Sequence, residues 1–296
     1  MSRRGWILFT MMGVIWGIPY LLIKVAVEGL PVPVVIFART AIGGLVLLPL
    51  ALRGGQLNGL ARHWKPLLAF ACLEIIAPWF LLTDAERRIT SSTAGLLIAA
   101  SPIIVVGLGR LLGDAEKMSA RRWAGLAMGL AGVGVLAGPQ LGGDDPWAIV
   151  EVLLTASGYA IAPLIVARRL QDVPALPVTA VTLTFAAILY APFAMAHWPA
   201  AMPSGKVLAA LAALALVCTA LAFVVFFALI REVGTDRALV FTYLNPAVAV
   251  TAGVVFLGEP LTATIIGSFA LILCGSVLAT LKQPAPEPVA DELVRD

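Results

Sequence analysis

Ten apolar stretches, each long enough to cross a bilayer as a helix, leave this chain few residues with which to build anything else. They lie near residues 6–27, 32–52, 66–84, 91–112, 121–138, 147–168, 177–197, 207–230, 237–257 and 262–281. A hydrocarbon layer about 30 Å thick takes roughly 20 helical residues. In lipid each backbone N–H and C=O must be paired internally, which helices do and open strands do not. Charged residues make up 12% and hydrophobic residues 60% of the chain, and the mean hydropathy is +0.98; soluble domains carry about 25% charged residues. Connections such as "EGLPVP" and "GPQLGGDDP" are too short for a soluble domain. The expected fold is an all-α integral membrane protein with ten transmembrane helices. The basic start "MSRRGWILFTMMGVIWG" has no small-residue cleavage site, so the first run is expected to be retained as a helix. The Pro-rich, acidic tail 282–296 is expected to be disordered and cytoplasmic.

Lys and Arg set the expected orientation. With the N-terminus inside, the outer connections hold only Arg87, Arg88 and Lys206, and Lys24 and Arg39 fall within spans. The other basic residues all lie in inner segments, with both termini cytoplasmic. The net charge of +3 is too small to point to a nucleic-acid partner. Cys72, Cys218 and Cys274 are scattered through apolar stretches and fit neither a disulfide framework nor a metal site.

An internal repeat runs through the chain. Pro102 and Pro246 are separated by 144 residues, Glu116 and Glu259 by 143, and Gly125 and Gly267 by 142. "GLAMGLAGVGVLA" and "GSFALILCGSVLA" align without a gap. Five spans per copy is an odd number, so the second copy is inverted relative to the first. The loop charges agree: the link after span 4 is basic and its counterpart after span 9 is not, whereas Arg168 and Arg169 follow span 6 and nothing basic follows span 1. Inverted repeats of this kind build secondary transporters. The expected units are residues 1–138 and 139–281, surrounding a central cavity.

Three stretches, "WGIPYLLIKVAVEGLPVPVVIFAR", "AERRITSSTAGLLIAASPIIVVGLGRLLGDAEKMS" and "ALIREVGTDRALVFTYLNPAVAVTAGVVFLGEPLT", carry a family resemblance over nearly the whole chain. It resembles the EamA-type, ten-helix branch of the drug/metabolite transporter superfamily. Within that family it is most similar to bacterial amino-acid exporters of the YddG type, which handle aromatic and other amino acids. The resemblance implies a basket-like bundle in the bacterial inner membrane and export of small metabolites without ATP or any cofactor. The first repeat has "GDAEKMS" where the family has Gly-Glu directly.

Proline marks the candidate site. Pro246 frees the carbonyl of Thr242 and Pro102 that of Ile98, and each follows a hydrogen-bonding residue, Asn245 or Ser101. Pro78 frees the Glu74 carbonyl, and Pro163 is a further expected break. Freed groups in a membrane need a partner or a wet cavity. A simple kink is the alternative at each. Glu74 lies about 12 Å into its span, where a charge costs on the order of 2.5–3.5 kcal/mol. It is expected to contact a substrate amine, carry a proton, or sit neutral in the core. Trp16, Tyr20, Trp79 and Tyr159 also fall within spans, as pocket walls or as packing. Glu151 is expected to reach the interface and Lys24 to snorkel. Gly13 and Gly17, and Gly125 and Gly129, have the spacing of close helix contacts. Arg39 is assigned no partner.

Enzyme readings find little support. His63 and His197 lack ligand spacing, no Gly-x-Ser-x-Gly elbow occurs, and "SGK" at 204–206 lacks the upstream glycine of a phosphate loop. Asp144 and Asp145 alone are a thin metal site. The expected partners are a small-molecule substrate (amino acids or similar metabolites) and the lipid bilayer. An exporter of another metabolite or drug, or a passive channel, remains the alternative.

Overall fold

The computed structural model describes residues 1–53, 57, 59–111, 119–141 and 146–280. Among them the chain is helical, with no strand. We number the transmembrane units α1 (Arg3–Gly17 and Pro19–Ala26), α2 (Val32–Arg53), α3 (Leu60–Ala85), α4 (Ser91–Ile98 and Ser101–Leu111), α5 (Ala120–Leu141), α6 (Trp147–Arg169), α7 (Ala175–Ala196), α8 (Gly205–Val233), α9 (Leu239–Leu257) and α10 (Ala263–Thr280). Nine of these, among the described residues, are long and apolar enough to cross a membrane. The remaining one, α5, has 22 residues, or about 33 Å of helix; its glycines and its start at Arg121-Arg122 dilute its hydropathy.

Contacts between connections sort them onto two ends of the bundle. At one end Lys206, at the start of α8, pairs with Glu28 after α1 at 3.2 Å, and Arg88 after α3 pairs with Glu151 near the start of α6. Glu259, after α9, binds the first turn of α4 at the same end. At the other end Arg62, before α3, meets Asp172, after α6, at 2.6 Å. There too the Ser2 hydroxyl, before α1, donates to Glu232 at the end of α8 at 2.6 Å. Successive connections thus alternate between ends, and a five-helix copy finishes opposite to where it began. That alternation inverts the second copy.

Helix packing has the same symmetry. α5 lies along α10 and α2 along α7, while α3 packs on α6 as α1 packs on α8. Exchanging the two halves turns this set of pairs into itself. The α5–α10 crossing is backbone on backbone: a Cβ on Gly275 would stand 2.6 Å from Gly129 Cα and 2.8 Å from the Gly125 carbonyl oxygen. Small residues let helices approach this closely in lipid, where association relies on packing. Gly13 likewise seats Leu244 of α9 against α1, where a Cβ would meet it at 2.8 Å.

The expected breaks form at Pro102, between the two pieces of α4, and at Pro246, where a 3-10 turn over Leu239–Tyr243 precedes Asn245. Pro163 does not break α6, which runs uninterrupted through it. One proline removes one ladder bond, and a helix can continue past it with a bend. Its counterpart 144 residues earlier, Pro19, does interrupt α1 at Ile18. Pro78 is accommodated differently: α3 widens into a π turn over Cys72–Ile76. The equivalent stretch of α8, Ala213–Leu221, is also π-helical without any proline. There the Thr219 hydroxyl donates to the Leu214 carbonyl five residues back, at 2.9 Å.

The Gly-Glu-Pro after α9 has a definite job. Gly258 ends the helix at φ 66°, a left-handed conformation that suits glycine. The next residue, Glu259, accepts from Ser91 N (2.7 Å), Ser92 N (3.0 Å) and Ser92 Oγ (2.5 Å). An anion is thereby fixed on the N-terminus of α4, which has unpaired N–H groups and a positive dipole end. Glu116, Asp144, Asp145 and the 282–296 tail lie outside the described residues.

Two charges at this end are held by protein partners. Glu151 is 3% exposed and paired with Arg88, which also meets Asp84 at 2.5 Å. Arg87 holds the same Asp84 at 3.2 Å, so both arginines that break the charge pattern have acidic partners. The Lys24 ammonium donates to the carbonyls of Glu86 (2.7 Å) and Ile89 (2.8 Å) at the end of α3.

Single cysteines at Glu28 and Gln171, each in the connection after the first helix of its repeat, should react with an impermeant thiol reagent from opposite faces of the membrane. Labelling from one face would refute the inversion. Glu259→Ala strips three bonds from the first turn of α4 and should destabilise the purified protein by about 2 kcal/mol. The measurement is its unfolding midpoint in detergent, with Glu259→Gln expected to fall between the two.

Candidate functional site: a buried arginine between the repeats

Arg39 lies about 10 Å into α2 and is only 8% exposed. Its guanidinium carbon sits 3.6 Å from the centroid of the Trp79 ring on α3. Its Nε donates to Thr219 Oγ1 on α8 at 2.9 Å. The π turn of α8 makes that second contact possible, because the wider turn carries the Thr219 hydroxyl while it bonds back to Leu214. An arginine in the hydrocarbon zone is costly, and stacking on a desolvated indole returns about 2 kcal/mol. Among the described residues Arg39 has no carboxylate in ion-pair range. Its two Nη groups make no hydrogen bond there, yet they are not among the fully buried unpaired atoms. A planar pair of donors is left uncommitted among the described residues.

Three of the residues the sequence singles out adjoin this cation: Trp79 beneath it, and Tyr20 on α1 and Tyr159 on α6 within electrostatic range. Tyr159 also packs with Trp79 and neighbours Glu74. Tyr20 and Trp79 are 7% and 6% exposed, so the space is largely closed in this conformation. Glu74 projects from the π turn of α3, half-buried. That turn is held from outside itself: Tyr190 Oη donates to the Ile76 carbonyl at 2.9 Å and Thr155 Oγ1 to the Pro78 carbonyl at 3.2 Å.

The remaining expected residues lie apart from Arg39. Trp16 packs edge-on to Phe223 (5.7 Å) and tilted against Phe226 (5.0 Å) and Phe241 (5.5 Å). Phe223 also touches the Trp79 cluster and joins the two groups. Ser101 spends its hydroxyl on the Ile98 carbonyl, 2.7 Å away, the group that Pro102 frees. Ser276 of α10 covers the Ala99 carbonyl at 3.1 Å, so the α4 break is satisfied by side chains. Asn245 differs. Its Oδ1 is buried with no partner among the described residues, beside α1 where a Cβ on Gly17 would meet the Asn245 carbonyl at 3.2 Å.

Sequence reasoning missed Thr219 and Phe223, and left Arg39 unassigned. A signal was available in the repeat: at an offset of 144, Trp79 corresponds to Phe223 and Glu74 to Cys218, next to Thr219. Among the described residues no group of three or more His, Cys, Asp or Glu is placed to hold a metal. The arrangement offers cationic, aromatic and acidic contacts to a small polar molecule.

Comparison with known proteins agrees with the duplicated bundle. Residues 3–138 and 146–281 each match the EamA-like transporter family. The chain is 29% identical to an uncharacterised inner-membrane transporter, YedA, of Escherichia coli (strain K12), over 96% of this chain and 93% of that protein. It is 25% identical to an uncharacterised transporter, YvbV, of Bacillus subtilis (strain 168), over 98% and 95% of the two chains. One solved crystal structure superposes with a TM-score of 0.66 at 22% identity, covering 94% of this chain and 98% of that one, and shares the fold. With both halves matched and the two repeats packed symmetrically on each other, the chain belongs to the EamA-like transporter family and is a multi-pass membrane transporter.

Proposed function

We propose that this protein exports small carboxylate-bearing metabolites, amino acids foremost, across the bacterial inner membrane by alternating access. The observation that carries the proposal is Arg39: a buried guanidinium with both Nη groups uncommitted, stacked on Trp79. A carboxylate accepts two parallel N–H bonds from such a fork, in a geometry that lysine cannot reproduce. Trp79, Tyr159 and Tyr20 would then wall the side chain of the substrate, and Glu74 would receive its ammonium group. Apolar walls with a few directed polar groups are what small-molecule sites have in common. Alternating access follows from the inverted repeats, which can rock about the site between them.

The reading is tested by uptake into proteoliposomes with a panel of amino acids, with and without a pH gradient. Saturable exchange supports a carrier, whereas unsaturable flux supports a channel. Arg39→Gln and Arg39→Lys should each lower transport about 10-fold or more, the loss of a charge-assisted pair worth roughly 1.5–3 kcal/mol. Amino-acid amides, which lack the carboxylate, should compete poorly in the native protein; equal competition would remove Arg39 from the site. Glu74→Gln should impair transport of amino acids and spare carboxylates that have no ammonium group. Equal loss for both kinds of substrate would make Glu74 structural.

A further inference from the structure

Glu86 looks, in "DAERRIT", like one more charge of a surface connection. The fold turns it inward. Glu86 is 0% exposed, and neither carboxyl oxygen has a hydrogen-bond partner among the described residues. Within electrostatic range of it are Lys24 and Tyr20 from α1, Arg39 from α2, Tyr159 from α6 and Glu259 after α9. On its own element Asp84, Arg87 and Arg88 are engaged with one another and with Glu151. The two cations nearest in kind are also committed elsewhere. Lys24 holds the backbone carbonyls of Glu86 and Ile89, and Arg39 holds Thr219 and Trp79.

A carboxylate sealed away from water with no donor on either oxygen costs several kcal/mol, and protonation removes most of that cost. A sealed Glu86 therefore holds a proton. Its surroundings belong to the parts that must separate if this end of the bundle opens: the Lys24 contact joins α1 to α3, and the Glu259 contact joins α9 to α4. On opening, water would reach the carboxyl group and exchange protons with it.

We propose that Glu86 is a proton-coupling group, loaded from water when this end is open and carried neutral when it is closed. The O–H bond forms at the carboxylate with a proton from the compartment this end opens to; when the opposite end opens, water entering on the side of Tyr20, Arg39 and Tyr159 takes that proton, and no other atom is exchanged. With a zwitterion moving outward and a proton inward, one positive charge enters per cycle. The inference rests on the transport reading, but not on the identity of the substrate.

The experiment has two arms. Infrared difference spectra of the purified protein in lipid at neutral pH should contain a protonated-carboxyl band that disappears in Glu86→Gln and persists in Glu74→Gln. This arm needs no substrate. In proteoliposomes loaded with amino acid and a pH dye, efflux by the native protein should acidify the lumen. Glu86→Gln should retain exchange of substrate while losing both acidification and accumulation driven by a pH gradient, and Glu86→Asp should keep them. An unchanged band in Glu86→Gln, or acidification that survives that substitution, overturns the proposal. If no amino acid exchanges in the native protein, the proposed function fails, and the infrared band still decides Glu86.

Discussion

Every backbone N–H and C=O in a hydrocarbon layer must find a partner within the protein, and the rest of this structure depends on that requirement. It makes the chain helical throughout the bilayer. It also turns each interruption of a helix into a demand on side chains. At the α4 break the demand is met by Ser101 and Ser276. At the π turn of α3 it is met by Tyr190 and Thr155, and at the end of α3 by Lys24. Glu259 meets it at the start of α4. Apart from the Ser101 bond, which stays within α4, these are contacts between helices, so the groups that repair the backbone also join the helices to one another. An opening motion that breaks them must supply replacements, and water entering the opened end is the natural one.

The same constraint explains why polar residues at the centre are few and clustered. Arg39 is tolerated through Trp79 and Thr219, which come from α3 and α8, the two helices with π turns. These helices are equivalents in the two repeats. The deformation is shared although only one copy has a proline to provoke it, so the wider turn belongs to the architecture and Pro78 accommodates it. The copies have diverged in chemistry while keeping that geometry: Trp79 is matched by Phe223, and Glu74 by Cys218.

Much of the fold was legible in the sequence because the signal is long and redundant. A run of some twenty apolar residues has one low-energy solution in lipid, and the ten expected runs coincide with the ten helices to within a few residues. The site was harder to read. Proline identifies a missing donor, but not whether the helix breaks, widens or runs on; Pro102, Pro78 and Pro163 took those three courses. Which course is followed depends on the side chains that neighbouring helices present to the freed carbonyl.

The sequence by itself determined the helices, the duplication and, through its odd span count and reversed loop charges, the inversion. All are local or periodic properties of a chain in a solvent that forbids unpaired backbone. Tertiary structure alone decided which charges face inward. Glu86, Arg87 and Arg88 are adjacent in sequence and chemically of a kind with any loop charge, yet Arg88 turns to Asp84 and Glu151 while Glu86 is sealed beside Lys24 and Arg39. A helix end turns through about 100° per residue, so neighbours in sequence can face water and core. Only the packing of α1, α2, α6 and α9 around that end settles which residue meets which.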